Sequence, residues 1–171
     1  MDELAGLRAD CDRCAGLYCI ALAFDRGASF AFAKPAGVRC LHLAPDDRCA
    51  IHAQRTERGF AGCVRYDCAG AGQRATALTS DPAARLEAFR VLRELHELRL
   101  LLRTAKRLDL DAATEAQRAE LERALETACT DRETLGRAPL DVLERATREL
   151  LRSLRPFARA QPRTIVHGTS K

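Results

Sequence analysis

The sequence predicts a mainly α protein in which a small, loop-rich cysteine module precedes a bundle of about three helices. Three observations carry that expectation. Seven of the eight cysteines (Cys11, Cys14, Cys19, Cys40, Cys49, Cys63 and Cys68) fall within the first 68 of 171 residues. Breakers at Gly27, Pro35, Gly37, Pro45, Gly59 and Gly62 interrupt the same stretch and leave no long helical period in it. Beyond Gly70-Ala71-Gly72 the texture changes to leucine at helical spacing.

In chain order, residues 1–78 form the cysteine-rich module, 79–160 the bundle and 161–171 a tail. Within the module, Leu17 to Phe24 and Phe30-Ala31-Phe32-Ala33 read as short strands or buried turns. Gly70-Ala71-Gly72-Gln73-Arg74 lacks the Gly-Lys-Ser/Thr ending of a phosphate loop and reads as a flexible joint. Ser80 or Asp81 can cap a helix that takes Pro82 into its first turn, where the missing amide costs nothing. Leu86, Phe89, Leu92, Leu95, Leu98 and Leu102 give that helix an apolar face, which Val91, Leu100 and Leu101 widen. So wide a face needs cover from more than one side. A second helix starts near Asp111 and turns Leu121, Leu125 and Ala128 inward until about Thr130. A third starts at Pro139 and repeats Leu140, Leu143, Leu150, Leu154 and Phe157. Short connections make such neighbours antiparallel. Gln161 to Lys171 carries little that would tie it down.

A composition of 47% apolar and 30% charged residues, with a net charge of only +4, excludes a wholly disordered chain and a fibrous repeat. Of the 28 basic residues only Lys34, Lys106 and Lys171 are lysine, and 24 carboxylates are interspersed with the arginines. No broad face of one sign results, so nucleic acid is not favoured as a partner. The run Arg145, Arg148, Arg152, Arg155, Arg159 and Arg163 includes Glu144 and Glu149 among its neighbours and has few aromatics to stack bases, which suits a solvated helix face. The longest apolar run, Leu17 to Phe24, is far below the ~20 residues of a membrane helix. The start Met1-Asp2-Glu3-Leu4 has neither the basic nor the apolar region of a signal peptide, so a cytoplasmic location is expected.

In a reducing compartment clustered thiols serve more often as metal ligands or redox centres than as disulfides, and an odd number closes no disulfide framework. The spacings are Cys11-x2-Cys14, Cys14-x4-Cys19, Cys40-x8-Cys49, Cys49-x13-Cys63 and Cys63-x4-Cys68. A two-residue gap lets one tight turn aim two sulfurs at a single ion while its amides donate to them. Cys49-Ala50-Ile51-His52 has knuckle spacing, which makes His52 the candidate non-sulfur ligand ahead of His42. Two four-coordinate sites need eight ligands, a number that the seven thiols and one imidazole supply. Sulfur-rich coordination selects zinc, iron or an iron–sulfur cluster over magnesium or calcium. Cys129, inside a helical pattern, reads as a packing residue, and His96 in its leucine stripe reads as a packed or surface histidine. No serine lies in a Gly-x-Ser-x-Gly elbow, and no hydrolase triad is legible.

The order Cys11-x2-Cys14, Cys19, Cys40, Cys49-Ala-Ile-His52, Arg58, Cys63 and Cys68 resembles the YkgJ-type cysteine-cluster family, whose members are described as zinc- or iron-chelating. The family outline is C-x2-C-x2-CC, a later cysteine, C-x-I-Y with R-P, and a final cysteine pair; the resemblance spans roughly residues 8 to 74. Leu7-Arg8-Ala9-Asp10-Cys11, Ala21-Leu22-Ala23-Phe24, Lys34-Pro35-Ala36-Gly37, Gly59-Phe60-Ala61-Gly62-Cys63 and Tyr66-Asp67-Cys68-Ala69-Gly70-Ala71-Gly72-Gln73 are similar to the N-terminal region of actinobacterial pentapeptide-repeat-containing proteins. In those proteins a segment like Leu92-Arg93-Glu94-Leu95-His96-Glu97-Leu98 follows. Here Tyr18 stands where the family has the first cysteine of its doublet, the gap after Cys14 is one residue longer, and His52 and Gly59 replace a tyrosine and a proline. No Ala-Asp-Leu pentapeptide repeat follows residue 80.

The resemblance implies a chelating module. Joined to the leucine-rich helices, it gives the expectation of a metal-binding protein with a structural or regulatory role, leaning away from an enzyme. The helices then serve a protein partner or a homo-oligomer. The alternative is an iron–sulfur enzyme acting in redox chemistry or protein side-chain modification. Some members of the wider family are associated with protein-lysine methylation, and no residue here matches a catalytic residue of that activity.

Overall fold

The computed structural model describes residues 6–137 and 139–160. Among these the regular structure is helical: α1 Leu17–Ala21, α2 Ala61–Arg65, α3 Ala71–Leu78, α4 Pro82–Ala105, α5 Ala112–Ala128, α6 Arg132–Arg137, α7 Leu140–Ser153 and α8 Arg155–Ala160. The class expected from the sequence, mainly α with a bundle, is the class observed. The expected tail lies outside the described residues.

The three long helices start where side chains can satisfy them or just beside a proline. Asp81 accepts from the Ala84 amide at 2.9 Å and leaves Pro82 inside the first turn of α4. Asp111 accepts from the amides of Ala113 and Thr114 at 3.1 and 3.0 Å and opens α5. α7 begins after Pro139. The stripe Phe89, Leu92, Leu95, Leu98 and Leu102 of α4 is buried against α3, α5 and α7, together with Leu125, Ala128, Leu150 and Leu154. Each such leucine contributes roughly 1.5–3 kcal/mol through the apolar surface it takes out of water. The α4–α5 seam also carries charge. Arg103 and Arg118 both bind Glu122 at 2.6 Å, Arg118 grips Glu115 at 2.8 Å, and Arg99 meets Glu126 at 2.6 Å.

For the first 80 residues the structure decides between the alternatives of one expectation and corrects another. Leu17–Ala21 is a helical turn rather than a strand, and antiparallel pairing is confined, among the described residues, to isolated bridges: Phe24 with Lys34, Gly27 with Phe30, and Leu43 with Cys49. Gly70-Ala71-Gly72 is no flexible joint. It opens α3, with Ala71 and Ala75 fully buried against α4. Gly70 adopts φ +79°, and a side chain there would strike the Gly6 carbonyl, so the position demands glycine twice over. The helix escapes hydrophobic periodicity because its buried face is alanine and glycine. The α6 turn, anchored by Asp131 accepting from the Thr134 amide at 2.7 Å, was likewise not anticipated.

The loops of the module are held by polar pins rather than a ladder. Lys34 is buried and its ammonium donates to the carbonyls of Ile20, Pro35 and Val38 at 3.2, 3.0 and 2.8 Å, over the face of Phe24. Three donors meeting three carbonyls let a cation remain inside. Phe24 stacks on Phe30 at 4.4 Å, while Phe60 meets Phe32 edge-on at 4.9 Å and His42 at 5.0 Å, forming a small aromatic core under the loops.

Candidate functional site

Two networks of hydrogen bonds bring the cysteines together. The first fastens the N-terminal segment onto the start of α3. Ala9 and Ala69 donate to the Asp67 carboxylate at 3.0 and 2.7 Å, Gln73 bridges the Arg8 carbonyl and the Asp10 amide at 2.7 and 3.2 Å, and Ala15 donates to the Thr76 hydroxyl at 3.0 Å. On that segment Asp10 caps the tight turn Cys11–Arg13, and Cys14 donates back to the Cys11 carbonyl. The Cys14 and Cys68 sulfurs both lie beside Gly72, where an added Cβ would be 2.6 Å from the first and 3.7 Å from the second. The Cys68 sulfur also accepts from the amides of Gly70 and Gly72 at the beginning of α3. Such N–H to sulfur bonds favour a thiolate.

The second network holds the remaining four. Cys40 donates to the Cys19 carbonyl at 2.9 Å, Ala50 to the His42 carbonyl at 2.8 Å, and His52 to the Cys49 carbonyl at 3.1 Å. The Leu43–Cys49 bridge closes this hairpin-like loop. Arg55 donates through Nε to the His52 carbonyl at 2.8 Å and reaches the Cys63 carbonyl at 3.4 Å. Tyr18, stacked on Tyr66 with ring centroids 4.3 Å apart, shares a hydrogen bond with the Cys63 sulfur.

All seven cysteines of the first 68 residues, with His42 and His52, line one cavity of about 470 Å³. Cys11 is exposed, the other six are half-buried and none is in a disulfide. Cys129 is buried in the bundle, as its place in a helical pattern implied. Burial is the first cause that pushes the thiols of Cys11, Cys19, Cys63 and Cys68 above their ordinary 9.0, with Cys19 reaching about 12. Among the described residues, no three His, Cys, Asp or Glu side chains are grouped closely enough to hold an ion as they stand.

Sequence reasoning missed two residues of the cavity. Arg55 lines it and acts on Cys11 and Cys63, whereas Arg58 of the family-like pattern bonds to Gln54. Tyr18, read only as a lost thiol, also faces the cavity. A further link was invisible in the sequence. His96, buried on α4, bonds through Nδ1 to the Ala69 carbonyl at 2.7 Å and so ties the turn after Cys68 to the bundle. Burial lowers this imidazole to about 4, so it is neutral near pH 7 and Nδ1 carries the donated proton.

Fold and cavity together define a helical chain with a thiol-lined pocket among the loops and short helices of residues 9–68. No family model matches the chain, and no solved structure matches it. It is 37% identical over 114 residues to the uncharacterized protein YybG of Bacillus subtilis (strain 168), an alignment covering 61% of this chain and 41% of that protein. The chain is thus a distant homologue of YybG and spans less than half of its length. No described helix is long and apolar enough to cross a membrane.

Proposed function

We propose that this is a metal-binding protein with a structural or regulatory role, which takes zinc or iron on Cys11, Cys14, Cys19, Cys40, Cys49, Cys63 and Cys68 with His52 at the rim. The observation that carries the proposal is the convergence of seven unbridged thiols on a single cavity. Desolvated neutral thiols crowded together gain little from one another. An ion that displaces their protons converts the cluster into a set of bonds joining the loops. Zinc needs sulfur at about 2.3 Å. Loading therefore draws the sulfurs inward from their present positions, which loops held by isolated bridges and polar pins can follow. The resemblance to YkgJ-type cysteine clusters points the same way. The helical half is proposed to bind a protein partner or a second copy in the cytoplasm. Its leucine stripe is spent inside the bundle, and Leu101 and Val142 are the large apolar side chains there that stay nearly half exposed.

Elemental analysis of protein purified without oxygen tests the proposal. At least one zinc or iron per chain is expected, lost in Cys14→Ser and Cys68→Ser and kept in Cys129→Ser. Less than one ion per chain, with folding indifferent to a chelator, removes it. The second reading, an iron–sulfur enzyme, is favoured by a cavity far larger than one ion requires. It expects brown protein with visible charge-transfer absorption. Colourless anaerobic protein with stoichiometric zinc discards it.

A further inference from the structure

The seven sulfurs fall into two groups by what holds them. The turn carrying Cys11 and Cys14 is bound, through Asp67, Gln73 and Thr76, to the segment that carries Cys68. Cys19 and Cys40 are joined by their own backbone bond, Cys49 by the bridge to Leu43, and Cys63 by Arg55 and Tyr18. Their mutual electrostatics divide in the same way. After burial, Cys19 feels Cys40, Cys49 and Cys63 before Cys11, and Cys63 feels Cys40 and Cys49. The sulfurs that act on Cys11 are Cys14 and Cys68, and Cys68 in turn feels Cys14.

We propose that the cavity holds two metal centres. One is closed by Cys19, Cys40, Cys49 and Cys63. The other, held by Cys11, Cys14 and Cys68, leaves His52 outside its ligand set and keeps a coordination position open for a small anion beside Arg55. This inference rests on the metal-binding reading above. Four thiolates complete a tetrahedral ion and leave it a structural role, whereas three leave the fourth position to an exogenous ligand. The three-thiolate group includes Cys11, the exposed cysteine of the set. Arg55 is the one guanidinium or ammonium among the residues lining the cavity, and its Nε and Nη1 are held by the carbonyls of His52 and Cys63. An anion arriving at the open position gains a fixed positive neighbour.

Cobalt(II) loading of the anaerobic, full-length chain is the test, read by metal count and visible spectrum, with sodium azide as the anion probe. Wild type is expected to bind two cobalt ions and to change its spectrum with azide. Cys49→Ala should keep one ion that still responds to azide, and Cys14→Ala one ion that does not. Arg55→Met should bind two ions but need at least tenfold more azide. Where a variant fails to fold, alkylation of half-loaded wild type replaces it: Cys19, Cys40, Cys49 and Cys63 should be protected as a set. One ion per chain, azide without effect, an unchanged azide response in Arg55→Met, or protection spread evenly over all seven cysteines overturns the inference while leaving metal binding intact. No bound zinc, iron or cobalt overturns both.

Discussion

Gly72→Ala separates a packing role from a site role at one atom. Inside a helix the change ordinarily stabilises by ~0.5–1 kcal/mol, because glycine loses more backbone freedom on folding. At Gly72 the new methyl lies 2.6 Å from the Cys14 sulfur, more than an ångström inside contact, while the Cys14 Cβ at 3.5 Å and the Cys68 sulfur at 3.7 Å are ordinary neighbours. If nothing moved, overpacking would cost about 1–3 kcal/mol. The atom in the way ends a short side chain, so the cheaper response is to swing it into another staggered position. The expected outcome is an unfolding free energy within about 1 kcal/mol of wild type, by urea titration of the reduced, metal-free chain. Zinc affinity should fall at least tenfold, about 1.4 kcal/mol, in competition with a chromophoric chelator. Gly136→Ala in α6, whose added methyl meets nothing within 4 Å, is the control and should gain the helix term without touching the metal. A Gly72→Ala chain that gains stability like the control and binds zinc like wild type refutes the placement of Cys14 in the site.

Three further outcomes follow from charge. His96, with its imidazole depressed by burial from 6.5 to about 4, favours the neutral form in the fold. Stability held above pH 6.5 is therefore lost on acidification through that window, by about 3 kcal/mol at pH 4, and His96→Gln should flatten the slope between pH 6.5 and 5 in urea titrations. An unchanged slope would mean that His96 is not the titrating group. The thiols of Cys11, Cys19, Cys63 and Cys68 lie above 9.0. Filling the cavity at pH 7 should accordingly release close to one proton from each, measured with a pH indicator, and the metal-free chain should weaken above pH 9 as the unfolded thiols ionise first. Release of fewer than two protons would contradict ligation by this set. Glu122→Ala takes one carboxylate from each of two largely buried guanidiniums on the α4–α5 seam, leaving Arg118 with Glu115 and Arg103 with Glu126, and should cost about 2 kcal/mol in thermal or urea unfolding. Adding Arg103→Met should recover part of the loss.

The bundle was legible because its signals are local. Asp81 with Pro82 and Asp111 mark helix starts through their own side chains, and Phe89 to Leu102 repeat at a helical period that only a buried face requires. The cysteine cluster was legible as composition, and the structure brings all seven thiols to one cavity. What escaped was set by long-range geometry. α3 buries alanine and glycine, residues whose value is the close approach they allow, and no periodicity measure weighs that. Arg55 enters the cavity through bonds to two carbonyls, a placement that a list of arginines cannot reveal. The division of the thiols follows from the pairing of residues 8–15 with 67–76, which no spacing along the chain encodes.

That pairing also explains why a loop module this irregular needs a bundle beside it. α3 belongs to both halves: its first amides hold the Cys68 sulfur, its buried alanines sit on α4, and Arg74 on its outer turn donates to the Cys129 carbonyl at the end of α5 at 2.8 Å. His96 adds a second strut from α4 to the turn after Cys68. With both struts in place, the cost of ordering the Cys68 turn is met when the bundle folds, and a ligand entering the cavity finds that sulfur already aimed. In the four-sulfur group Cys19 rides on α1, which packs on α4, whereas Cys40 and Cys49 lie on loops pinned by Lys34 and the aromatic cluster. The two halves of the cavity should therefore differ in how far they depend on metal for order. Hydrogen exchange on the metal-free chain should show protection in residues 67–76 approaching that of α4, with residues 38–52 exchanging much faster and slowing on zinc addition. Equal protection of both segments without metal would place the support in the loops and leave the bundle no part in shaping the site.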